Sequence, residues 1–359
     1  MSLTIMDLQG IWLNYHSGNC PLPDQMHIVH LVNSPNGQQL WAHVLKQEVA
    51  PLRSLTYGFL LFDNTNWALF TSEEIGLSPL TTTVMACDQS GSLWGYIPAR
   101  AIFRFDGRTT EIFNPGKRGL PSELGLAFSL ACDHQGGLWV AMQPGGVLYY
   151  NTSLGQSFRQ VRNALFGNDD VTNIIVDKAG RVWFAVQSQT QTRFIMYNGE
   201  QYQEYTRAPI GYRDSTVQSM MIDRKGDLWV GWGILTSASP QGLWVFNQSM
   251  SPRQWTKQTR RNSRLPNHEF RSIVEDKLGR VWIGTSIGFV IFDGKQSVRW
   301  NVIFPDTLHG PVYVSDSVEV EMKVGDRPHA FIDSFAVIDN QERLWVRSNN
   351  GLSVFIEAK

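Results

Sequence analysis

Short apolar runs separated by polar turn residues fill this chain from end to end. Segments such as VMAC (84–87), NIIV (173–176) and SMMI (219–222) each lead into an Asp-x-x-Gly tetrad. A second apolar run follows, for example LWVAM (138–142) or VWIGT (281–285). Asp bonds its own backbone two residues on and Gly supplies a positive φ, so the tetrad is the chemistry of a tight hairpin. A third run carries an aromatic near its end: GFLLFD (58–63), AIFRFDG (101–107), GVLYYN (146–151), GLWVFN (242–247) and GFVIFDG (288–294). A fourth often holds a tryptophan, as at Trp67, Trp255 and Trp300. Runs this short, with turn signals every ~8–12 residues, predict strands throughout and an all-β chain.

The Asp-x-x-Gly hairpin belongs to a longer phrase that repeats. CDQSGSLW ends at Trp94, CDHQGGLW at Trp139, VDKAGRVW at Trp183, IDRKGDLW at Trp229 and EDKLGRVW at Trp282. IDNQERLW, ending at Trp345, has Glu342 in place of Gly, and SPNGQQLW, ending at Trp41, has the Gly-to-Trp spacing stretched by one residue. Successive tryptophans are 53, 45, 44, 46, 53 and 63 residues apart. That period is the length of a four-stranded propeller blade, so the sequence predicts a single seven-bladed β-propeller domain over 1–359. The blades fall at about 26–72, 80–114, 124–162, 169–206, 214–258, 268–304 and 329–357.

The last repeat stops after its third strand, whereas QGIWLNYH precedes the first repeat and has no place in it. Trp12 resembles the fourth-strand tryptophans. Residues 3–14 are therefore expected to pair with residues near 351–357 and close the ring, because an open ring leaves strand edges unpaired at both ends. The thirteen tryptophans agree: seven lie in the phrase, four in fourth strands, and Trp232 and Trp244 remain.

Composition narrows the function classes. A net charge of −1 gives no electrostatic case for nucleic acid, and no apolar run is long enough for a membrane helix. The first residues, MSLTIMDLQG, have neither the basic nor the apolar region of a signal peptide. Cys20, Cys87 and Cys132 are too few for a disulfide scaffold. Together these features lead to an expectation of a cytoplasmic location.

The repeat resembles the two-component regulator propeller family, whose consensus runs from Leu-Pro through Asp-x-x-Gly-x-Leu-Trp-x-Gly-Thr to Phe-Asp-Gly. The best copy is LPNHEFRSIVEDKLGRVWIGTSIGFVIFDG, Leu265 to Gly294. This resemblance implies a sensing module of the kind found outside the membrane in hybrid histidine kinases, often responsive to carbohydrate. The chain is more distantly similar to virginiamycin B lyase-type propellers, which implies a metal-assisted site using His and Glu. The Trp-Phe-Thr-Glu phrase associated with that group does not occur, nor does any His-x-Glu triplet.

Residues that recur in every blade are what packing demands, so a ligand site is sought where the repeats differ. Five residues before the Asp stand Thr83, Phe128, Thr172, Gln218, Arg271 and Ser334. Near them, at loop–strand junctions, lie Asp169, Asp170, Arg213, Asp214, His268, Glu269 and His329. Arg271, Gln218, His268, Asp214, Arg213, Asp170 and His329, with Trp232, are the candidate ligand-binding residues at the channel mouth, opposite the Asp-x-x-Gly turns. Two residues after the repeat Trp, four blades have Ala141, Ala185, Gly231 and Gly284, whereas the others have His43, Tyr96 and Arg347. This trio either lines a second pocket or fills wider gaps between blades. The stretch 312–324 alternates like an added hairpin and is expected to cover part of the mouth. Basic residues gather in 253–271, where a solvated loop is the default reading.

No nucleophile elbow, phosphate-binding loop, dinucleotide fingerprint or His-Glu-x-x-His motif is present. The reading that follows is a non-catalytic module binding a small polar ligand, including carbohydrate, or a protein, with no cofactor, no metal, no nucleic acid and no membrane insertion. The alternative is a propeller lyase or hydrolase with a metal-assisted site at the same face. Oligomeric state is left open.

Overall fold

In the computed structural model the described residues are 10–15, 20–21, 23, 26–47, 54–77, 84–143, 146–151, 156–208, 216–233, 242–248, 252–258, 270–285, 288–292, 301–306, 310–315, 336–338, 341, 343–348 and 351–357. All regular structure among them is β. Five repeats fold as four-stranded antiparallel meanders whose strands pair in chain order. In the fourth, Asp170–Val176, Val182–Gln187, Thr192–Tyr197 and Tyr202–Ala208 lie side by side. Four other consecutive sets, starting at Met26, Met85, Leu126 and Val217, have the same order.

The final repeat supplies Ala336–Ile338, Leu344–Ser348 and Gly351–Glu357, and its fourth strand is Gly10–Tyr15. Gly10 pairs with Glu357, Trp12 with Phe355 and Tyr15 with Leu352. The expected pairing of the chain's two ends is thus present as a sheet. The sixth repeat differs from expectation. Phe270–Glu275, Val281–Thr285 and Gly288–Phe292 form a three-stranded sheet among the described residues. Asn301–Asp306, expected to be its fourth strand, lies against Gly288–Phe292 but forms its ladder with Gly310–Ser315. Of the stretch 312–324, where a hairpin is expected, residues 312–315 belong to this pair, and 316–335 lie outside the described residues.

The Asp-x-x-Gly phrase builds the same local structure five times. Asp177 accepts the backbone N–H of Ala179 (2.9 Å) and Arg181 (3.0 Å) on Oδ1, and the indole N–H of Trp183 (2.8 Å) on Oδ2. Asp88, Asp133, Asp223 and Asp276 likewise hold Trp94, Trp139, Trp229 and Trp282 at 2.9–3.0 Å. The Gly of each tetrad has φ between 78° and 85°, a conformation that only Gly adopts without strain. In the stretched first copy Ser34 replaces Asp, and Trp41 donates to the carbonyl of Gly91 in the next repeat (2.9 Å).

Val32–Val217 is one compact unit; Met1–Leu31 with Gln218–Lys359 is the other. Within the first, each apolar cluster draws on two successive repeats: Trp41 and Phe59 with Phe103 and Phe105, Trp94 and Phe113 with Leu148 and Tyr150, and Trp139 and Val147 with Phe184 and Ile195. In the second unit Trp229 and Val245 pack with Ile273, Val281 and Ile283. A sheet buried on both faces explains why second strands such as Leu93–Ile97 and Val182–Gln187 are buried at every position. The third-strand aromatics have a defined role here. Phe105, Tyr150, Tyr197 and Phe292 each lie 5.3–5.8 Å from the tryptophan of the preceding repeat (ring centroids).

Candidate functional site

The non-repeating position five residues before the Asp coincides with a backbone irregularity. In three first strands the register slips, between Ala127 and Ser129, Val171 and Asn173, and Phe270 and Ser272. The residues left out of the ladder are Phe128, Thr172 and Arg271. A β-bulge of this kind bends the strand and re-aims the unpaired residue: Phe128 is partly exposed, whereas Thr172 is buried and donates to the carbonyl of Ala185 (3.4 Å).

One residue further on, the side chain is polar and joins neighbouring first strands. Ser129 Oγ receives the N–H of Ile174 (3.0 Å) and donates to its carbonyl (3.3 Å). With its amide oriented to satisfy its surroundings, Asn173 donates to the carbonyl of Val217 (2.9 Å). Ser219 Oγ donates to the carbonyl of Phe270 (3.3 Å).

A second set of bridges leaves the far end of the second strands. The hydroxyl of Tyr96 donates to the carbonyl of Gly125 at the entry to the third repeat. Gln143 Nε2 donates to Asp170 (2.7 Å) at the entry to the fourth. Gln187 Oε1 accepts the N–H of Val217 (3.1 Å) at the entry to the fifth. Gln143 and Gln187 stand four residues after the repeat Trp, and in the fifth repeat that position is Gly233, which has no side chain to reach across. The exposed Gln218 folds over Gly233 instead: a Cβ there would meet Gln218 Cγ and Nε2 at 2.6 Å. At Gly231 a Cβ would strike Ser219 and Phe270 at 2.6–2.9 Å, so a glycine is required for the sixth repeat's first strand to come this close.

The structure places the other candidates as follows. Asp170 opens its strand opposite Gln187 and is tied to Gln143. Trp232 ends Leu228–Trp232 and is fully buried, so of the two roles its position allows, ligand contact at the mouth and core packing, it takes the second. A bulky apolar ring at the end of a strand buried on both faces is driven inward. Its indole N–H has no acceptor among the described residues. Leaving such a donor unpaired costs about 1–3 kcal/mol. Arg271 and Arg347 are described by backbone only, at the bulge of Phe270–Glu275 and opposite Leu352. Arg213, Asp214, His268 and His329 lie outside the described residues.

His43 and Tyr96 are each fully buried, in different environments. His43 stacks on Phe59 (centroids 5.3 Å apart). Tyr96 sits in the cluster with Trp94 and Leu148, and burial pushes its phenol above the usual range. Among the described residues no three His, Cys, Asp or Glu side chains converge as metal ligands.

Comparison with known proteins agrees with this architecture. The two component regulator propeller model matches residues 264–286, the repeat closest to consensus. No curated protein matches the chain in sequence. Among solved structures, PorZ, a surface component of the type-IX secretion system of Porphyromonas gingivalis, is 14% identical over 91% of this chain, with a TM-score of 0.58. The extracellular domain of the hybrid two component system BT3049 from B. thetaiotaomicron is 14% identical over 97% of it, TM-score 0.58. Virginiamycin B lyase from Staphylococcus aureus is 10% identical over 96% of it, TM-score 0.58, and is itself covered to 98%. This chain spans 46% of PorZ and 42% of the BT3049 chain.

The fold is therefore that of a β-propeller with a two-component-regulator-type repeat, like the extracellular domain of a two-component sensor. Among the described residues no helix is long and apolar enough to cross a membrane. Nothing in the comparisons supports a cytoplasmic location, and the sensor-like structure is an extracellular domain.

Proposed function

We propose that this chain is a non-catalytic sensing module: a seven-bladed ring, closed by Gly10–Tyr15 in the last blade, that binds a small polar ligand at the mouth opposite the Asp-x-x-Gly turns. The observation that carries this reading is the bulge that sets Phe128, Thr172 and Arg271 outside the ladder. The residues that recur are engaged in packing, whereas the position that varies from repeat to repeat falls at the bulge. Likeness to an extracellular sensor domain supports the same reading at the level of fold.

Thermal unfolding against mono- and oligosaccharides, phosphorylated metabolites and divalent metals tests it. Binding to the folded state raises the midpoint with ligand concentration. A saturable rise abolished by Arg271→Ala supports the reading. No rise with any member of the panel overturns the small-ligand assignment, and turnover of a binding compound overturns the non-catalytic one.

A further inference from the structure

The sixth and last sheets belong to the same compact unit, and one hairpin reaches both. Its inner arm, Asn301–Asp306, lies against Gly288–Phe292, and its outer arm, Gly310–Ser315, approaches Gly10–Tyr15. Pro305 and Pro311 face each other across the hairpin and fix which way its backbone groups point. Proline has no N–H, so within a ladder it sits where its nitrogen turns away from the partner strand. Pointing alternates along an antiparallel pair. Asn301 and Ile303, in step with Pro305, therefore turn their N–H and carbonyl groups toward Gly288–Phe292. Tyr313 and Ser315, in step with Pro311, turn theirs away from the inner arm.

Gly288–Phe292 presents matching groups. Thr285 faces Gly288 across a two-residue link, and the pair that closes such a link exchanges both of its hydrogen bonds. Phe289 and Ile291 are then the residues whose groups point out of the sheet edge. The other sheets supply the register. A fourth-strand tryptophan stands opposite the last aromatic of the third strand at Trp67 and Phe62, Trp255 and Phe246, and Trp12 and Phe355. In the sequence Trp300 immediately precedes Asn301, so the same rule sets Ile291 against Asn301 and Phe289 against Ile303. In that register the four outward-pointing residues meet as two hydrogen-bonded pairs.

We propose that the hairpin is a strap poised to dock. Asn301–Asp306 completes the sixth sheet through the pairs Ile291–Asn301 and Phe289–Ile303, and Gly310–Ser315, as a fifth strand, ties that sheet to Gly10–Tyr15. The strand that joins the two ends of the chain is then held from both edges, by Gly351–Glu357 on one and by the strap on the other. Pro311 removes a donor from the strap's outer edge, which limits the recruitment of foreign strands. The strap acts at the rim and needs no ligand at the mouth.

Ile303→Pro in the whole chain tests the strap. It removes the donor aimed at Phe289 and, like Pro305, spares the ladder of the hairpin itself. In hydrogen exchange resolved to single residues, the amides of Phe289 and Ile291 should exchange roughly tenfold faster, the worth of one lost hydrogen bond. Amides of Gly10–Tyr15 should also speed up, and those of Phe270–Glu275 should not. Unchanged exchange at Phe289 and Ile291 overturns the docking, and unchanged exchange at Gly10–Tyr15 overturns the tie. If the variant loosens the whole sheet, a cross-link decides. Val290→Cys with Val302→Cys, a directly facing pair in this register, should close a disulfide under oxidised glutathione, seen as linked peptides by mass spectrometry. Val290→Cys with Ile303→Cys, one residue out of register, should not. No link in the first pair, or equal linking of both, overturns the register.

Discussion

Trp183 and Asp177 meet at 2.8 Å, indole N–H to carboxylate, with the Arg181 guanidinium 2.7 Å from the same oxygen and stacked over the indole at 5.4 Å. One side chain thus closes the turn, fixes the ring and anchors a cation. Trp282, Asp276 and Arg280 repeat the set, with the guanidinium 5.6 Å from the ring centroid. In the second repeat the cation comes from the third strand instead, as Arg104 lies 3.0 Å from Asp88 and 5.7 Å from Trp94. Trp183→Ala should cost about 3–5 kcal/mol through the cavity it leaves. Asp177→Ala should cost at least about 1.5–3 kcal/mol, because four donors lose a charged acceptor. Urea unfolding followed by circular dichroism measures both, and near-native midpoints would contradict a packing role for the repeat.

The same carboxylates set an acid limit on stability. At Asp88 burial opposes ionisation. The hydroxyl of Ser90, the indole of Trp94, the Arg104 charge and the Ser92 N–H outweigh it and hold the group below its ordinary 3.8. A carboxyl whose folded value is depressed adds stability above its unfolded value and loses it as pH falls through the folded one. The advantage of the native chain over Asp88→Asn should therefore hold at neutral pH, begin to shrink near pH 4 and disappear at lower pH. Unfolding free energies of the two proteins across that range check the sign; an advantage that grows on acidification would refute it.

The thiols should separate by burial. Cys87 and Cys132 are buried, and desolvation raises both well above the ordinary thiol range, with the Asp88 charge adding to the effect. Cys20 is partly exposed. Thiolate, not thiol, reacts with disulfide reagents. The native chain should release one equivalent from such a reagent at neutral pH, and three after denaturation. Rapid reaction of all three in the native state would count against the burial of Cys87 and Cys132.

Much of this was legible from the repeats, and the reason is locality. The Asp, Gly and Trp of each phrase make their bonds within a few residues, so the pattern that encodes them is contiguous. Pairing of Trp12 with Phe355 was legible too, because a repeat without a fourth strand and a strand without a repeat leave one solution. What escaped was non-local. The stretched first copy was recognisable, but the extra residue sends the Trp41 indole to Gly91 in the next repeat. Gln143 and Gln187 drew no notice because their partners lie in the following repeat; their common spacing from the repeat Trp was the available signal. The place of Trp232 at a strand end allowed either a rim contact or core packing, and burial on both faces of the second strand holds it inside. His43 and Tyr96 share that burial.

Strand Gly10–Tyr15 is held by its ladder to Gly351–Glu357. Removing residues 1–15 would leave that ladder unpaired on one edge, and a free edge recruits other strands. The truncated chain should unfold at a lower temperature and elute as dimers or larger species in size-exclusion chromatography. A monomer with an unchanged midpoint would show that the N-terminal strand adds nothing to the sheet.

The bridge from Gln187 bears directly on how one sheet is joined to the next. Its Oε1 accepts the N–H of Val217 at 3.1 Å, its Nε2 donates to Thr192 Oγ1 at 3.0 Å, and the side chain is 1% exposed. Gln187→Ala leaves a buried backbone donor without its acceptor, a loss of about 1–3 kcal/mol. The position of the damage is more telling than its size. Exchange of the Val217 amide should accelerate, because its opening no longer breaks a bond, whereas the amide of Arg181, whose acceptor is Asp177, should keep its protection. Hydrogen exchange resolved to single residues separates the two. Equal acceleration at both would mean that the whole fourth repeat loosens and that Gln187 serves the sheet rather than the seam.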